Sequence, residues 1–514
     1  MTQTPRRIED LADELIIEIL NFLLGADQLS NSSSPVNPQD RSPRLDGRPA
    51  HARSESTELD RFRLVCKRFL RISTPRKFAR FDLRFGRKDF QRLEELLHMQ
   101  LACHVQYFTY MVRPFYQGSG WSQFFDGVDP KIFQTNKDRL QDQMRIIERN
   151  QDQEMLLKAI GAFSSLQQVK LLRLQDEDDE RLLDQIHEFS LEETLTLDWE
   201  PACTRAVTNL GMSLLASNCT SVRFVGPQIS PEATGRLVHT PSATLSALGA
   251  RLACLDVTFH SKFDLTSHME ALSDVFHDFF LAAKNLTIIH LGFETPVPLD
   301  LPLDQIFHRT QWKKLRTLSI QGWRLGSEEI IALIRRHRRQ LRDVRLVNIY
   351  LRDGSVWRDV LSVLHDEMDE VERIDLRGIN YASHLDSPSA SNGVNGHGTG
   401  IGNGNGNGHG SGSAGFHHPP LPLSVIVNHN TTSNSPILPA SPPSVREAVL
   451  NSDFLPYGSR GHTRNSSVYD LETLKKYSVD VLEDNGIHVG HRQISLWEAW
   501  VLASPRNLAG RKRA

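Results

Sequence analysis

The segment 410–415 has the residue types and spacing of a phosphate-binding loop, G-x-G-x-x-G. In a dinucleotide site this loop joins a strand to a helix, and the helix N-terminus holds the pyrophosphate. Here no strand-like run precedes the glycines, and residues 417–420 are His-His-Pro-Pro instead of a helix start. We therefore predict no nucleotide site at this position.

Metal and nucleophile chemistry has little support in the sequence. Four histidines between 397 and 418 could take up a metal adventitiously, without a physiological role. Cys103 and His104 are adjacent on a predicted strand, so their side chains point to opposite faces and cannot share a metal. The five cysteines form no C-x-x-C pair, which argues against a zinc ribbon and favours a reducing compartment. Because no Ser-His-Asp, P-loop or H-E-x-x-H arrangement occurs, we predict a protein without catalytic activity, cofactor or metal.

The charge distribution argues against nucleic acid and membrane partners. The chain carries 59 Lys and Arg against 62 Asp and Glu, a formal net charge of -3. Its strongest basic run, residues 335–339, lies at the end of a predicted helix, where the dipole favours cations. No run of 18 apolar residues occurs, and the N-terminus is not a basic stretch followed by an apolar core. We therefore expect a cytoplasmic or nuclear protein without a signal peptide or membrane span.

The elements that could position a binding surface begin with two helical stretches. Apolar residues between Ile8 and Leu23 recur at steps of three and four, which places a stripe along one side of a helix. Residues 27–57 are rich in Ser, Pro, Arg and Asp and predict a disordered insert, and a second helix follows it. The apolar positions of interest are Leu11, Leu15 and Ile19 in the first helix and Leu64, Val65 and Phe69 in the second.

A weak internal repeat of the form L-x-x-L-x-L follows, at intervals of roughly 30 residues. Its clearest copies start at Leu166, Leu252, Leu286, Leu315, Leu341 and Val371. Looser matches lie at Cys219-x-x-Val222-x-Phe224 and in the strand-like stretch 195–199. Helical patterns separate the copies, and Ser327 is the expected N-cap of one of them. A short strand alternating with an amphipathic helix at this period is typical of a solenoid, in which stacked units share one core.

The C-terminal part divides by composition. Residues 383–445 are rich in Gly, Asn, Ser and Pro and predict a disordered linker. Residues 446–514 form the last predicted region, in which Trp497 and Trp500 lie in a segment that could cap the last repeat.

The first 85 residues resemble an F-box. The resemblance rests on LADELIIEIL at 11–20 and FRLVCKRF at 62–69, and the repeats behind them are similar to filamentous-fungal F-box proteins with degenerate leucine-rich repeats. It implies a three-helix module at 1–85 that docks on the Skp-type adaptor of a cullin–RING ubiquitin ligase, with the six apolar residues above as anchors. The repeats at 88–382 would recruit a protein substrate. The fold expected is α+β or α/β: a small helical module, then an irregular leucine-rich-repeat solenoid interrupted by a long disordered insertion.

Alternate strand positions of the repeats are expected to face away from the core. Those singled out as substrate-facing are His290, Ser319, Arg345 and Asp375, and a plain solvated sheet face is the alternative. For the whole chain the leading hypothesis is an adaptor that recruits a protein substrate to an SCF-type ligase. The alternative is a leucine-rich-repeat interaction scaffold without a ligase role.

Overall fold

The computed structural model describes residues 11–23, 59–127, 130–383, 474–475 and 477–506. All of them belong to one of the chain's two units, Met1–Ser387 with Tyr469–Ala514. The predicted insert at 27–57 and residues 384–445 of the predicted linker lie outside the described residues.

Most of the strands form a ten-stranded sheet, and nearly all sequential neighbours in it are also neighbours in space. The strands are β1 (Arg80–Arg84), β2 (Tyr107–Val112), β3 (Phe115–Gln117), β4 (Gln168–Arg173), β5 (Thr196–Asp198), β6 (Val222–Ile229), β7 (Leu252–His260), β8 (Ile288–Glu294), β9 (Thr317–Leu325), β10 (Asp343–Leu351), β11 (Arg373–Asp375) and β12 (Asn380–Tyr381). The main sheet has the order β1-β2-β4-β6-β7-β8-β9-β10-β11, with β12 also paired to β10, and every pairing in it is parallel. The fold is therefore α/β with a mostly parallel central sheet.

Helices connect the strands, as parallel pairing requires. They are α1 (Asp13–Leu23), α2 (Lys67–Lys77), α3 (Arg87–His98), α4 (Trp121–Gly127), α5 (Pro130–Glu148), α6 (Gln151–Ala162), α7 (Glu177–Glu188), α8 (Trp199–Ala216), α9 (Glu232–Gly235), α10 (Ser242–Arg251), α11 (Thr266–Ala271), α12 (Ser273–Ala282), α13 (Leu303–Phe307), α14 (Ser327–Arg336), α15 (Trp357–Asp366) and α16 (His491–Leu502). Short 3-10 turns lie at Ala102–His104, Arg236–His239 and Val479–Leu482.

One face of the sheet is apolar because equivalent residues of successive repeats align. Leu255, Ile289, Leu318 and Val344 lie side by side on β7, β8, β9 and β10. They share a single large core with helix residues such as Leu333 of α14. The predicted register of these four repeats is therefore confirmed.

Two looser predictions are wrong. Phe224 was assigned the third apolar position of its repeat, yet it pairs with Leu255, which holds the second. Phe224 also pairs with Val169, the second apolar residue of the repeat on β4, and apolar spacing within one strand does not show which residues of two strands pair. The stretch Thr196–Asp198 is a strand, but it pairs antiparallel with Phe115–Gln117 in a separate two-stranded sheet.

The cap of α14 also differs from its prediction. The helix begins at Ser327, and Gly326 is the N-cap residue. The Gly326 N–H donates to Glu329 Oε2 at 2.7 Å, so the carboxylate three residues on satisfies this backbone donor at the start of the helix. Ile330 and Leu333 are buried, as the helical periodicity predicts.

The N-terminal helical stretches have a small apolar cluster of their own. Ile16, Leu20, Leu59 and Phe69 are its buried members, contributed by α1, a helical turn at 59–63 and α2. The Phe62 ring stacks on that of Phe69 with 4.3 Å between centroids. These contacts unite segments that are separated along the chain by residues 24–58.

The segment 477–506 packs at the other end of the sheet. Trp497 and Trp500 of α16 are both buried, and the Trp500 ring stacks on His365 of α15 with centroids 4.0 Å apart. The Trp497 indole N–H donates to the Leu482 carbonyl oxygen at 2.9 Å. Trp500 thus anchors this segment to the last helix of the repeats, and Trp497 ties α16 to the turn at Val479–Leu482.

A carboxylate of α16 meets the last strand at the same place. Glu498 Oε1 accepts a hydrogen bond from the Leu376 backbone N–H at 2.8 Å. Burial raises the pKa of Glu498 to about 7, and the Asp375 carboxylate acts in the same direction, whereas the hydrogen bond and Arg377 oppose them.

Candidate partner-binding surfaces

The N-terminal helices expose large apolar side chains, which we call the N-terminal apolar surface. Leu15 is 53% exposed and Leu64 is 86% exposed. Its members are Leu15, Ile17, Ile19 and Phe22 of α1, Leu64 and Val65 before α2, and Leu70 of α2. Such exposure is unusual because burying one of these side chains gains about 1.5–3 kcal/mol.

The exposure follows from the sequence of α1, which is apolar on more than one side. Ile16 and Leu20, four residues apart, point into the N-terminal cluster. Leu15 and Ile19 have the same spacing one position earlier, so they occupy a different face of the helix. Leu15 and Ile19 of the predicted stripe therefore lie on the face of α1 that leaves the cluster, not on the face that packs on it.

The six predicted anchor residues divide between the surface and the interior. Leu15, Ile19, Leu64 and Val65 are exposed. Leu11 is half-buried against the cluster, and Phe69 is only 3% exposed. Phe69 is therefore not available to a partner, because its ring fills the space between the helices. Ile17 and Leu70 are exposed apolar residues that the sequence prediction missed.

An ion-pair network fixes α1 against α2. Asp13 Oδ1 accepts from Arg68 Nε at 2.7 Å, and Asp13 Oδ2 accepts from Arg71 Nη2 at 2.6 Å. Arg68 Nη2 also donates to the Leu11 carbonyl oxygen at 2.5 Å. The hydrogen bond from Arg68 is the main reason why the pKa of Asp13 is lowered. The network holds the exposed residues of α1 and those before α2 in a defined arrangement.

A small cavity lies beside this surface, where the N-terminal helices meet the first strands. Its volume is about 260 Å³, and Ile17, Ile72, Pro75 and Gln106 are among its lining residues. It continues the apolar character of α1 towards the sheet, so a partner that covers Ile17 could also enter it.

The four residues predicted to face a substrate share one row of the sheet. His290, Ser319, Arg345 and Asp375 pair in register on β8, β9, β10 and β11, next to Asp256 of β7. All four side chains are buried, and Ser319 is only 2% exposed, so the expectation of solvent-exposed positions is wrong. Side chains of one row lie about 4.8 Å apart and cover one another, and strand alternation alone does not reveal this.

The two charged residues of this row bond to neighbours along the chain. Arg345 bonds Asp343 through Nε at 3.0 Å and through Nη2 at 2.5 Å. Arg377 Nε donates to both Asp375 oxygens, at 2.8 and 3.0 Å. In both pairs the partners are two positions apart along the chain, so the charged groups of Arg345 and Asp375 are paired within the protein.

Ser319 and His290 have the residue types of a nucleophile and its base, so their geometry bears on catalysis. His290 Nδ1 lies 2.6 Å from Ser319 Oγ, and Nε2 lies 3.2 Å from Thr258 Oγ1. Asp256 Oδ1, on the neighbouring strand, has no hydrogen-bond partner within the described residues. Because Ser319 is inaccessible and both ring nitrogens face hydroxyls, the arrangement favours a structural ladder over an acyl-transfer site.

The basic run at the end of α14 is largely tied to its surroundings. Arg335 makes a bidentate contact with Glu367, and Arg336 lies 3.7 Å from Asp304. His337 is fully buried, stacked on Trp312, and burial lowers its pKa to about 4. The middle of the run is thus part of the core, while Arg338 and Arg339 are exposed.

A larger groove of about 770 Å³ runs along α8. Its charged side chains include Glu200, Arg205 and Glu232. Arg205 is held by Asp152, with Nε and Nη2 each 2.7 Å from a carboxylate oxygen. The guanidinium therefore serves the protein itself and is not directed at a ligand.

Neither metal nor membrane chemistry is indicated by the described residues. No group of three or more His, Cys, Asp or Glu in the described part of the chain is placed to hold a metal ion. None of the helices given above combines the length and apolarity needed to cross a membrane. No protein-family model matches the chain, and no curated protein matches it.

Proposed function

We propose that the chain is a substrate-recognition adaptor of an SCF-type cullin–RING ubiquitin ligase. Residues 1–85 would be an F-box-like module that docks on the Skp-type adaptor, and residues 88–382 an irregular leucine-rich-repeat solenoid that recruits a protein substrate. The mechanism is proximity: the protein holds the substrate near the ubiquitin-conjugating enzyme, with no cofactor and no catalytic residue of its own.

The observation that carries the proposal is the N-terminal apolar surface. Helix-in-groove recognition needs aliphatic side chains at helical spacing that are exposed in the free protein and buried in the complex. Leu15 and Ile19 are exposed and four residues apart on α1, and Leu64 and Val65 lie in the segment with the strongest F-box resemblance. Phe69 is buried and would have another role, because it packs the helices of the module against one another.

The sheet supports the second half of the proposal. Repeats of roughly 30 residues, each with one parallel strand in chain order, are the arrangement expected of stacked leucine-rich units. The alternative, an interaction scaffold without a ligase role, shares this sheet but gives no reason for the exposed apolar residues of α1.

Co-purification with the Skp-type adaptor tests the proposal. The variant Leu15→Ala with Ile19→Ala removes two exposed side chains of one helix face. At roughly 2 kcal/mol for each anchor, adaptor affinity should fall about 1,000-fold, which abolishes capture in a pull-down. The matched control is Met144→Ala with Leu281→Ala, two exposed apolar residues elsewhere, which should leave capture unchanged.

Folding is separated from docking by a third variant. Phe69→Ala should lower the stability of the N-terminal helices by about 3–5 kcal/mol, because it empties the centre of their cluster. The double α1 variant should leave the thermal midpoint unchanged. If the unmodified protein never captures the adaptor, the ligase proposal fails and the scaffold alternative replaces it.

A further inference from the structure

Charges on the polar face of the main sheet are unevenly distributed between its two halves. On β1, β2, β4 and β6 the side chains of this face include four cations and one carboxylate. They are Arg80, Arg84, Lys170 and Arg223, with Asp82. On β7 to β11 the same face has three cations and four carboxylates, namely Arg324, Arg345 and Arg373 with Asp256, Glu294, Asp343 and Asp375. The first half therefore has a formal charge of +3 (4 − 1) and the second half −1 (3 − 4).

The charged side chains of the first half are also more exposed to solvent than those of the second half. Arg80 and Arg84 are exposed, and Lys170 and Arg223 are half-buried. In the second half the central row is buried, and Arg345 bonds within the sheet. Solvent-accessible positive charge thus concentrates on the first four strands, which we call the basic strand face.

The register places these cations in a compact array. Arg80, Tyr107 and Arg223 lie in one row, and Lys170 lies in the next. The Arg80 guanidinium lies over the Tyr107 ring, 5.5 Å from its centroid, which is within cation–π distance. Three strand spacings cover about 14 Å, the length of an extended peptide of four or five residues.

We propose that the basic strand face binds an acidic segment of the protein substrate. The proposal names the substrate class of the adaptor and in that respect rests on the proposed function. Charge complementarity selects the partner: a short run of Asp and Glu side chains matches an array of four cations around one carboxylate. Duplex nucleic acid fits less well, because such complexes commonly neutralise six to ten phosphates, and Asp82 lies inside the array.

Fluorescence anisotropy of a labelled Glu/Asp peptide of about eight residues, titrated with the full-length chain, tests this proposal. Binding should be measurable at low salt and weaken as salt rises. Arg80→Glu with Arg84→Glu reverses two exposed charges and should lower the affinity about tenfold. The matched control, Arg338→Glu with Arg339→Glu, changes the net charge equally on another part of the molecule and should alter it by less than about twofold.

A second double variant controls for a folding defect. If Arg80→Glu with Arg84→Glu shifts the thermal midpoint, Lys170→Gln with Arg223→Gln removes charge from the same face without adding carboxylates, and should lower the affinity about threefold. Equal losses in the face variants and the control would overturn the proposal. Tighter binding of a lysine peptide, or of single-stranded RNA with the same number of charges, would also overturn it.

The assay contains no ligase component, so the two proposals fail separately. Peptide binding without adaptor capture would refute the ligase role and leave the basic strand face as a protein-binding surface. Adaptor capture without peptide binding would refute the acidic substrate class alone.

Discussion

Replacing Arg139 by methionine removes one of two cations from a buried ion cluster. Arg113 and Arg139 together hold Asp176 and Asp179, the residues that cap the start of α7. Arg139 donates to Asp179 Oδ1 at 2.8 Å and to Asp176 Oδ2 at 2.7 Å. The Asp179 side chain is 2% exposed, so water cannot replace the lost donor. In the variant two carboxylates share the single cation Arg113.

The expected loss of unfolding free energy follows from this geometry. Removing one partner of a buried ion pair costs about 3–5 kcal/mol. Because the Arg139 side chain is 19% exposed and solvent screens part of its charge, we take the lower end, about 3 kcal/mol. With an unfolding entropy of about 2.1 cal/mol/K per residue and roughly 370 described residues, the thermal midpoint should fall by about 4 °C.

Tryptophan fluorescence during thermal and urea unfolding provides the measurement. The matched control is Arg181→Met, because Arg181 pairs with Asp178 on the same helix and is 58% exposed. An exposed pair of this spacing contributes about 0.3–0.5 kcal/mol, so the control should shift the midpoint by less than 1 °C. Equal shifts for the two variants would show that the cluster is not the source of stability inferred from its burial.

Two further predictions concern stability. Glu498 has a folded pKa of about 7, raised from an ordinary value of 4.5, so its contribution to stability is complete below about pH 4.5 and is lost as the pH rises through 7. The thermal midpoint should therefore fall between about pH 4.5 and pH 7 and level off above pH 7. Glu498→Gln should flatten this dependence, and an unchanged slope in the variant would refute the assignment. Gly322 and Gly354 both have left-handed φ values, +74° and +81°, but a Cβ at Gly322 would collide with the Phe293 carbonyl oxygen, whereas Gly354 faces open space. Gly354→Ala should cost about 1 kcal/mol and Gly322→Ala about 3 kcal/mol in urea unfolding, and equal costs would contradict the close approach of β8 and β9.

Local periodicity was sufficient to predict much of the sheet. The apolar spacing around Leu318 and Val344 predicted both the strands and their inward positions, because each strand needs only its own alternation to be recognised. The helical stripe of α14 was predicted for the same reason, including Leu333. The pairing of Phe224 on β6 was not predictable, since register depends on how two strands pair and not on either strand alone.

The residue types of the candidate surfaces were set by the sequence, but their exposure was decided by tertiary packing. Leu64 and Phe69 are both apolar residues of one short segment, yet only Phe69 meets Phe62 and the buried side of α1, so Leu64 stays in water. Ser319 was predicted to be exposed from strand alternation, and it is buried because His290, from the neighbouring strand, closes over it with a hydrogen bond. Periodicity within an element determines which side chains share a face; whether that face meets solvent depends on segments far apart in the chain, whose approach no local pattern specifies.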